Sequence, residues 1–149
     1  MISLLDLNDF YVEQHYDLLK VGSEGDGYPL FVGDFNENLN LFGVSGDLIS
    51  SNGSLFSAID VDNDGMPGLK CSGMLRGGGW FNPPHCTDIH LFGENFQAAT
   101  NGQFNTRGIY SKSWRGTWMS MKELNWAVRP NDYDGKLNFI FICMLYAQK

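Results

Sequence analysis

Positive charge is scarce in this sequence: ten Lys and Arg stand against seventeen Asp and Glu, a formal net charge of −7 over 149 residues. No Lys/Arg cluster is available to release counterions from a phosphate backbone, so nucleic acid is not an expected partner. Long apolar stretches are also lacking. "LNFIFICMLYA", near the C-terminus, is too short for a bilayer span, which needs about 20 residues. The opening "MISLLDLNDFYVEQHYDLLK" puts Asp6 and Asp9 where a secretory leader carries its apolar core, so no leader is expected there. Catalytic signatures are missing as well: there is no G-x-S-x-G elbow, no G-x-x-x-x-G-K loop and no H-E-x-x-H, and no enzyme is expected. Cysteine is sparse and forms no C-x-x-C pair, which argues against a zinc knuckle. Cys71, Cys86 and Cys143 permit one bridge with one thiol left over. The Cys71 to Cys86 loop closes easily in an oxidising compartment, and three free buried thiols are the alternative.

What is present reads as one globular domain. Hydrophobic residues make up 43% of the chain, charged residues only 18%, and 18 glycines with 14% aromatics point to many turns and short strands. "FYVEQHY" alternates as a half-buried strand does, and "YPLFVGDF" reads as a second strand. Asn36 to Ser54, with "GVSGD" and "SSNGS", is expected to be loop with a short helix around Asn38 to Phe42. From Phe56 to Asn95, "GMPG", "RGGGW" and "NPPHC" leave little room for hydrogen-bonded ladders, so a metal ion and a disulfide are the expected substitutes. Strand-like alternation returns in "GIYSKSW" and in "GTWMSMKELNWAVRP".

The segment "DVDNDG", Asp60 to Gly65, begins like an EF-hand calcium loop. That loop requires a bidentate Glu at its twelfth position, which here is Cys71, so the EF-hand reading fails. Asp60, Asp62 and Asp64 nevertheless offer carboxylates at alternate positions before a tight turn, as a hard cation requires; a solvated acidic turn is the alternative.

In order along the chain, "DLNDF…YVEQHYDLLKVGSEGDGYPLFVGDF", "FSAIDVDNDG", "C…RGGGWF…HC…HLFG" and "SWRGTWMSMKELNWAVRP" resemble the fibrinogen-related domain of ficolins, tachylectin-type lectins, angiopoietins, tenascins and the fibrinogen chains. The likeness covers roughly Leu4 to Pro130. It implies an α+β fold of fibrinogen C-terminal type, a twisted antiparallel sheet with a loop-rich calcium and disulfide subdomain. It also implies that the N-terminal subdomain is absent, so that residues 1–130 form a partial domain and 131–149 an atypical tail prone to aggregate unless it docks.

Carried over residue by residue, the resemblance implies Ca2+ ligands at the carboxylates of Asp62 and Asp64 and the main-chain carbonyls of Met66 and Gly68. One extra residue stands between Asp64 and Cys71 relative to the common spacing. It further implies a Cys71–Cys86 bridge and a cis bond between His85 and Cys86. A ligand pocket would draw on Trp80, Phe81, His85, Thr87 and Phe104. Thr87 and Met119 replace the His and Tyr usual in members that bind acetylated sugars or amines, so the pocket departs from the pattern. Core packing is the competing role for Trp80, and a structural role for His90. The expectation is an extracellular recognition module for acetylated carbohydrate or protein ligands, with innate-immune, lectin-like binding as one form. A non-lectin structural or signalling interaction module, or a truncated isoform without ligand binding, is the alternative. Asn52, in "NGS", is an N-glycosylation acceptor if the chain is secreted and otherwise a turn residue.

Overall fold

The computed structural model describes residues 1–39, 43–94, 106–117, 119–128 and 140–145. Strands dominate; the α-helical part of the expected α+β class shrinks, among the described residues, to one five-residue helix, α1 (Cys71–Leu75), beside short 3-10 segments. The main sheet has four antiparallel strands in the order β10 (Ile140–Leu145), β9 (Glu123–Val128), β1 (Ile2–Leu5), β2 (Tyr11–Gln14). Pairing sets Ile2 opposite Gln14 and Trp126, and Leu4 opposite Val12 and Leu124. These side chains share one face by the two-residue period of a strand, and all are buried; Ser3, Glu13 and Asn125 lie on the other face, only partly covered. Each fully buried Leu or Ile on that face contributes about 1.5–3 kcal/mol relative to exposure.

The β1–β2 connection is fixed by Asp6, whose side chain is fully buried. Its Oδ1 accepts the N–H groups of Asn8 (2.8 Å) and Phe10 (3.0 Å), and its Oδ2 meets the Arg115 guanidinium at 2.8 Å. Arg115 in turn lies against the rings of Phe10 and Trp114. "FYVEQHY" is not one strand. The chain breaks at His15: β2 stays in the main sheet, while β3 (Tyr16–Val21) leaves to pair with β4 (Leu30–Phe35) in a separate hairpin. β10, from the expected tail, docks along the outer edge of β9 through a register shift between Phe141 and Cys143.

Between Asn36 and Ser54 the structure has more order than the expected loop. A 3-10 turn covers Glu37–Leu39, residues 40–42 lie outside the described residues, and a second 3-10 segment runs over Asp47–Ser51. Its position is set by distant partners: the buried Asp47 carboxylate accepts Ser111 Oγ at 2.5 Å, Ser113 Oγ at 3.0 Å and Ser113 N–H at 3.2 Å. The loop-rich part is held by two-residue pairs, β5 (Phe56–Ser57) with β6 (Gly79–Trp80) and β7 (Ile89–His90) with β8 (Tyr110–Ser111). Trp80, Phe56, Phe92 and Trp126 pack edge-on or tilted, with centroids 5.1–6.3 Å apart, and join this part to the main sheet. Gly77 is required for that closeness, since a Cβ there would lie 2.3 Å from the Phe92 carbonyl oxygen.

Candidate functional site

The acidic segment folds as a compact loop because its side chains replace the ladder that its glycines and proline cannot form. Ala58 and Val61 exchange backbone hydrogen bonds at the loop entrance, and Ser72 Oγ donates to the Ala58 carbonyl from α1. Asn63 Nδ2 donates to the Phe56 carbonyl at 2.9 Å, while its N–H is received by Ser57 Oγ at 3.0 Å, which ties the loop to β5. Asp64 is buried: Oδ1 accepts the Met66 N–H and Oδ2 the Cys71 N–H, both at 2.8 Å. The second bond satisfies a donor in the first turn of α1 that the helix itself leaves unpaired. Gly65 at φ +69° and Gly68 at φ +80° supply left-handed bends between these anchors.

Asp62 differs from Asp64. It is exposed, with Oδ1 3.5 Å from the Asp64 backbone nitrogen, while the Asp64 carboxylate is turned into the loop toward the N–H groups of Met66 and Cys71. The Met66 carbonyl accepts the Leu69 N–H at 3.2 Å, and its side chain packs with Sδ 3.5 Å from Cys71 Sγ. Among the described residues no three His, Cys, Asp or Glu side chains converge as a metal-binding group. The local donors are therefore two carboxylates and main-chain carbonyls, all hard oxygens, which suits Ca2+ in kind.

Cys71 and Cys86 are joined by a disulfide with Cα atoms 5.7 Å apart, and with Leu75, Phe81 and the edge of Met66 they form a small second core. The bridge fastens the acidic loop to the segment before β7. In that segment the cis bond is Pro83–Pro84, not His85–Cys86; the tertiary amide before a proline has the weaker trans preference. Cys86 itself has φ +65°, and Asn82 donates its N–H to the Cys86 carbonyl at 2.7 Å, closing a tight loop with His85 exposed at its tip.

The aromatic wall faces inward. Trp80 is only 9% exposed and donates Nε1–H to the Tyr28 carbonyl at 2.7 Å, and Phe81 is 2% exposed. The cavity that both line, with His90, Ser51 and Leu48, measures ≈ 10 Å³, room for about one water and not for a sugar. The Thr87 hydroxyl is closed on its own backbone, donating to the Ile89 carbonyl at 2.6 Å and accepting the Ile89 N–H at 3.2 Å. His90 is buried between Phe81 and Tyr110; Nδ1–H donates to the Gly108 carbonyl, and burial lowers its pKa to about 4, so the ring is neutral. Burial acts in the opposite direction on Tyr110, pushing its pKa up to about 12, and its hydroxyl donates to the Thr87 carbonyl. Phe104 lies outside the described residues. Of the expected pocket residues that are described, His85 is thus the one exposed, beside the disulfide, and Asn63 and Ser72 are loop anchors outside the expected set. Asn63 stood in plain view within "DNDG", but nothing in that string points to β5.

Comparison with known proteins identifies the family and the fold. The family model for the C-terminal globular domain of fibrinogen beta and gamma chains matches residues 1–131. Bovine fibrinogen-like protein 1 is 30% identical over 146 residues, covering 87% of this chain and 43% of that protein. Human angiopoietin-related protein 7 is 31% identical over 119 residues, covering 79% of this chain and 32% of that protein. The fibrinogen-like globe domain of human ANGPTL2 superposes with a TM-score of 0.72 at 23% identity, over 83% of this chain and 53% of that one. Lamprey fibrin D-dimer, complexed with the peptide ligand Gly-His-Arg-Pro-amide, gives 0.69 at 23% identity, over 92% of this chain and 49% of that one. This chain spans less than half the length of these two curated relatives. Its fold is the fibrinogen-like globe fold, and the chain belongs to the family of fibrinogen C-terminal globular domains, a family of recognition and interaction modules.

Proposed function

We propose that this chain is an extracellular recognition module whose ligand-facing loops are preorganised by Ca2+ and which takes a protein ligand. The observation that carries the reading is the anchoring of Asp64: its carboxylate joins the acidic loop to Cys71 in the first turn of α1, and Cys71 itself carries the disulfide that reaches over to the His85 loop. An ion held by Asp62 and Asp64, with the carbonyls of Met66 and Gly68, would supply positive charge to both carboxylates and stiffen that connection. It would act on the ligand face through the disulfide rather than by contact. The disulfide also supports an oxidising, extracellular setting.

A protein ligand is favoured over an acetylated sugar by the closed Thr87 hydroxyl and the inward Trp80 and Phe81, which leave His85 as the exposed polar group of this set. That a solved relative of this fold is complexed with a peptide is consistent with such a ligand. The test is calorimetric titration of Ca2+ into the oxidised chain. Wild type binds with a one-to-one stoichiometry. D62A loses the binding while keeping its stability in chelator, because Asp62 is exposed. D64A loses binding and also about 3 kcal/mol of stability in chelator, since two hydrogen bonds to a charged group vanish. Equal heats from wild type and D62A would reject these ligands. Enrichment of the chain on an N-acetylglucosamine resin, reversed by free sugar, would reject the preference for protein.

A further inference from the structure

The sequence contains a single N-x-S/T acceptor, Asn52-Gly53-Ser54, and the fold gives it a defined role. Among the described residues no second strand pairs with the outer edge of β4; the segment Ser51 to Ser54 lies along it instead. Leu30 N–H donates to the Ser54 carbonyl at 2.9 Å, Gly53 N–H to the Leu30 carbonyl at 2.7 Å, and Val32 N–H to Asn52 Oδ1 at 2.9 Å. Ser54 N–H closes the segment on the Ser51 carbonyl at 3.1 Å, with Asn52 at φ −61°, ψ 128° and Gly53 at φ +81°, the geometry of a type II turn. Asn52 and Gly53 are exposed, and a Cβ placed on Gly53 would meet nothing within 4 Å.

This geometry separates the two ends of the Asn52 amide. Its oxygen is occupied by β4, and a hydrogen bond to that oxygen survives substitution at Nδ2. Its nitrogen, the atom a glycan takes, makes no hydrogen bond among the described residues, and the turn beside it opens to solvent. Among the described residues Ser54 contributes to the edge through its backbone, and its hydroxyl, which acceptor recognition demands, makes no hydrogen bond.

We infer that Asn52 is an N-glycosylation site and that its glycan stands over the open edge of the β3–β4 hairpin. The inference rests on the extracellular reading above. The donor is an oligosaccharide linked through a diphosphate to a lipid. Transfer forms the bond from Nδ2 to C1 of the first sugar, breaks the C1–O bond to the diphosphate, releases the lipid diphosphate and passes one amide proton to the transferase. No redox change is involved. A hydrated glycan at this position shields an edge that has only side-chain and turn contacts along it, where another strand could otherwise add.

The test uses the full chain behind a cleavable leader in eukaryotic cells, so that entry into the secretory route does not depend on the chain's own targeting. Both medium and cell extract are analysed. Wild type runs larger than the bacterially made chain, collapses to that size after peptide-N-glycosidase, and then carries Asp in place of Asn at position 52. S54A, which keeps the edge hydrogen bonds, is unglycosylated with unchanged cooperative unfolding relative to the bacterially made wild type, which keeps Asn52 bare; N52Q is likewise unglycosylated. Wild type that enters the secretory route with the mass of the bare chain would overturn the inference, whatever the outcome of the calcium titration. So would a glycan that persists in S54A and N52Q.

Discussion

At the scale of single residues, burial decides which ionisable groups matter. His90 is neutral because its ring is desolvated, so the folded state resists a proton that the unfolded chain accepts at the ordinary value of 6.5. The folded value is lowered; the stability it confers is therefore complete above pH 6.5 and lost as pH falls towards about 4. The full span is worth about 3 kcal/mol. Asp47 works in the opposite sense: burial raises its pKa above 3.8, so its contribution is complete below that value and lost as pH rises through the folded value. Denaturant unfolding at pH 7 and pH 4.5 separates them. Wild type loses stability on acidification relative to H90Q, and equal changes in the two proteins would show that His90 does not titrate on unfolding. Asp64 was readable from the sequence because its bonds stay within seven residues. Asp47 was not, because Ser111 and Ser113 are more than sixty residues away and no local spacing announces them.

At the scale of elements, what could be read followed length. "YPLFVGDF" shows the alternation that becomes β4, and "MKELNWAVRP" contains β9. The two-residue pairs β5–β6 and β7–β8 are too short to carry a period, and no glycine or proline marks the break at His15, where β2 and β3 part into different sheets. The disulfide closes a sequence separation of 15 around α1, so C86S is expected to destabilise the chain by about 3 kcal/mol in equilibrium unfolding. A loss indistinguishable from zero would mean that the acidic loop and second core hold α1 unaided. β10 covers the outer edge of β9 by backbone pairing. Deleting residues 131–149 exposes that edge, and light scattering is expected to show concentration-dependent association that the full chain lacks. A monomeric deletion variant would assign no protective part to β10.

At the scale of the whole molecule, the family was legible because several motifs occur in a fixed order, each weak alone. The pocket was less so. Trp80 and Phe81 look the same in sequence whether they face a ligand or a core, and only the packing of Trp80 against Phe56 and Trp126, with its indole donating to Tyr28, distinguishes the two. The central claim is that an ion at Asp62 and Asp64 stabilises the domain as a whole, since the loop, α1 and the disulfide form one connected unit. Thermal unfolding of the oxidised full chain in millimolar Ca2+ and in chelator tests it directly. One cooperative transition is expected, raised by several degrees in calcium, as about 2.7 kcal/mol of linkage at a hundredfold excess over Kd requires, with no shift in D62A. An identical Tm in calcium and chelator would contradict it.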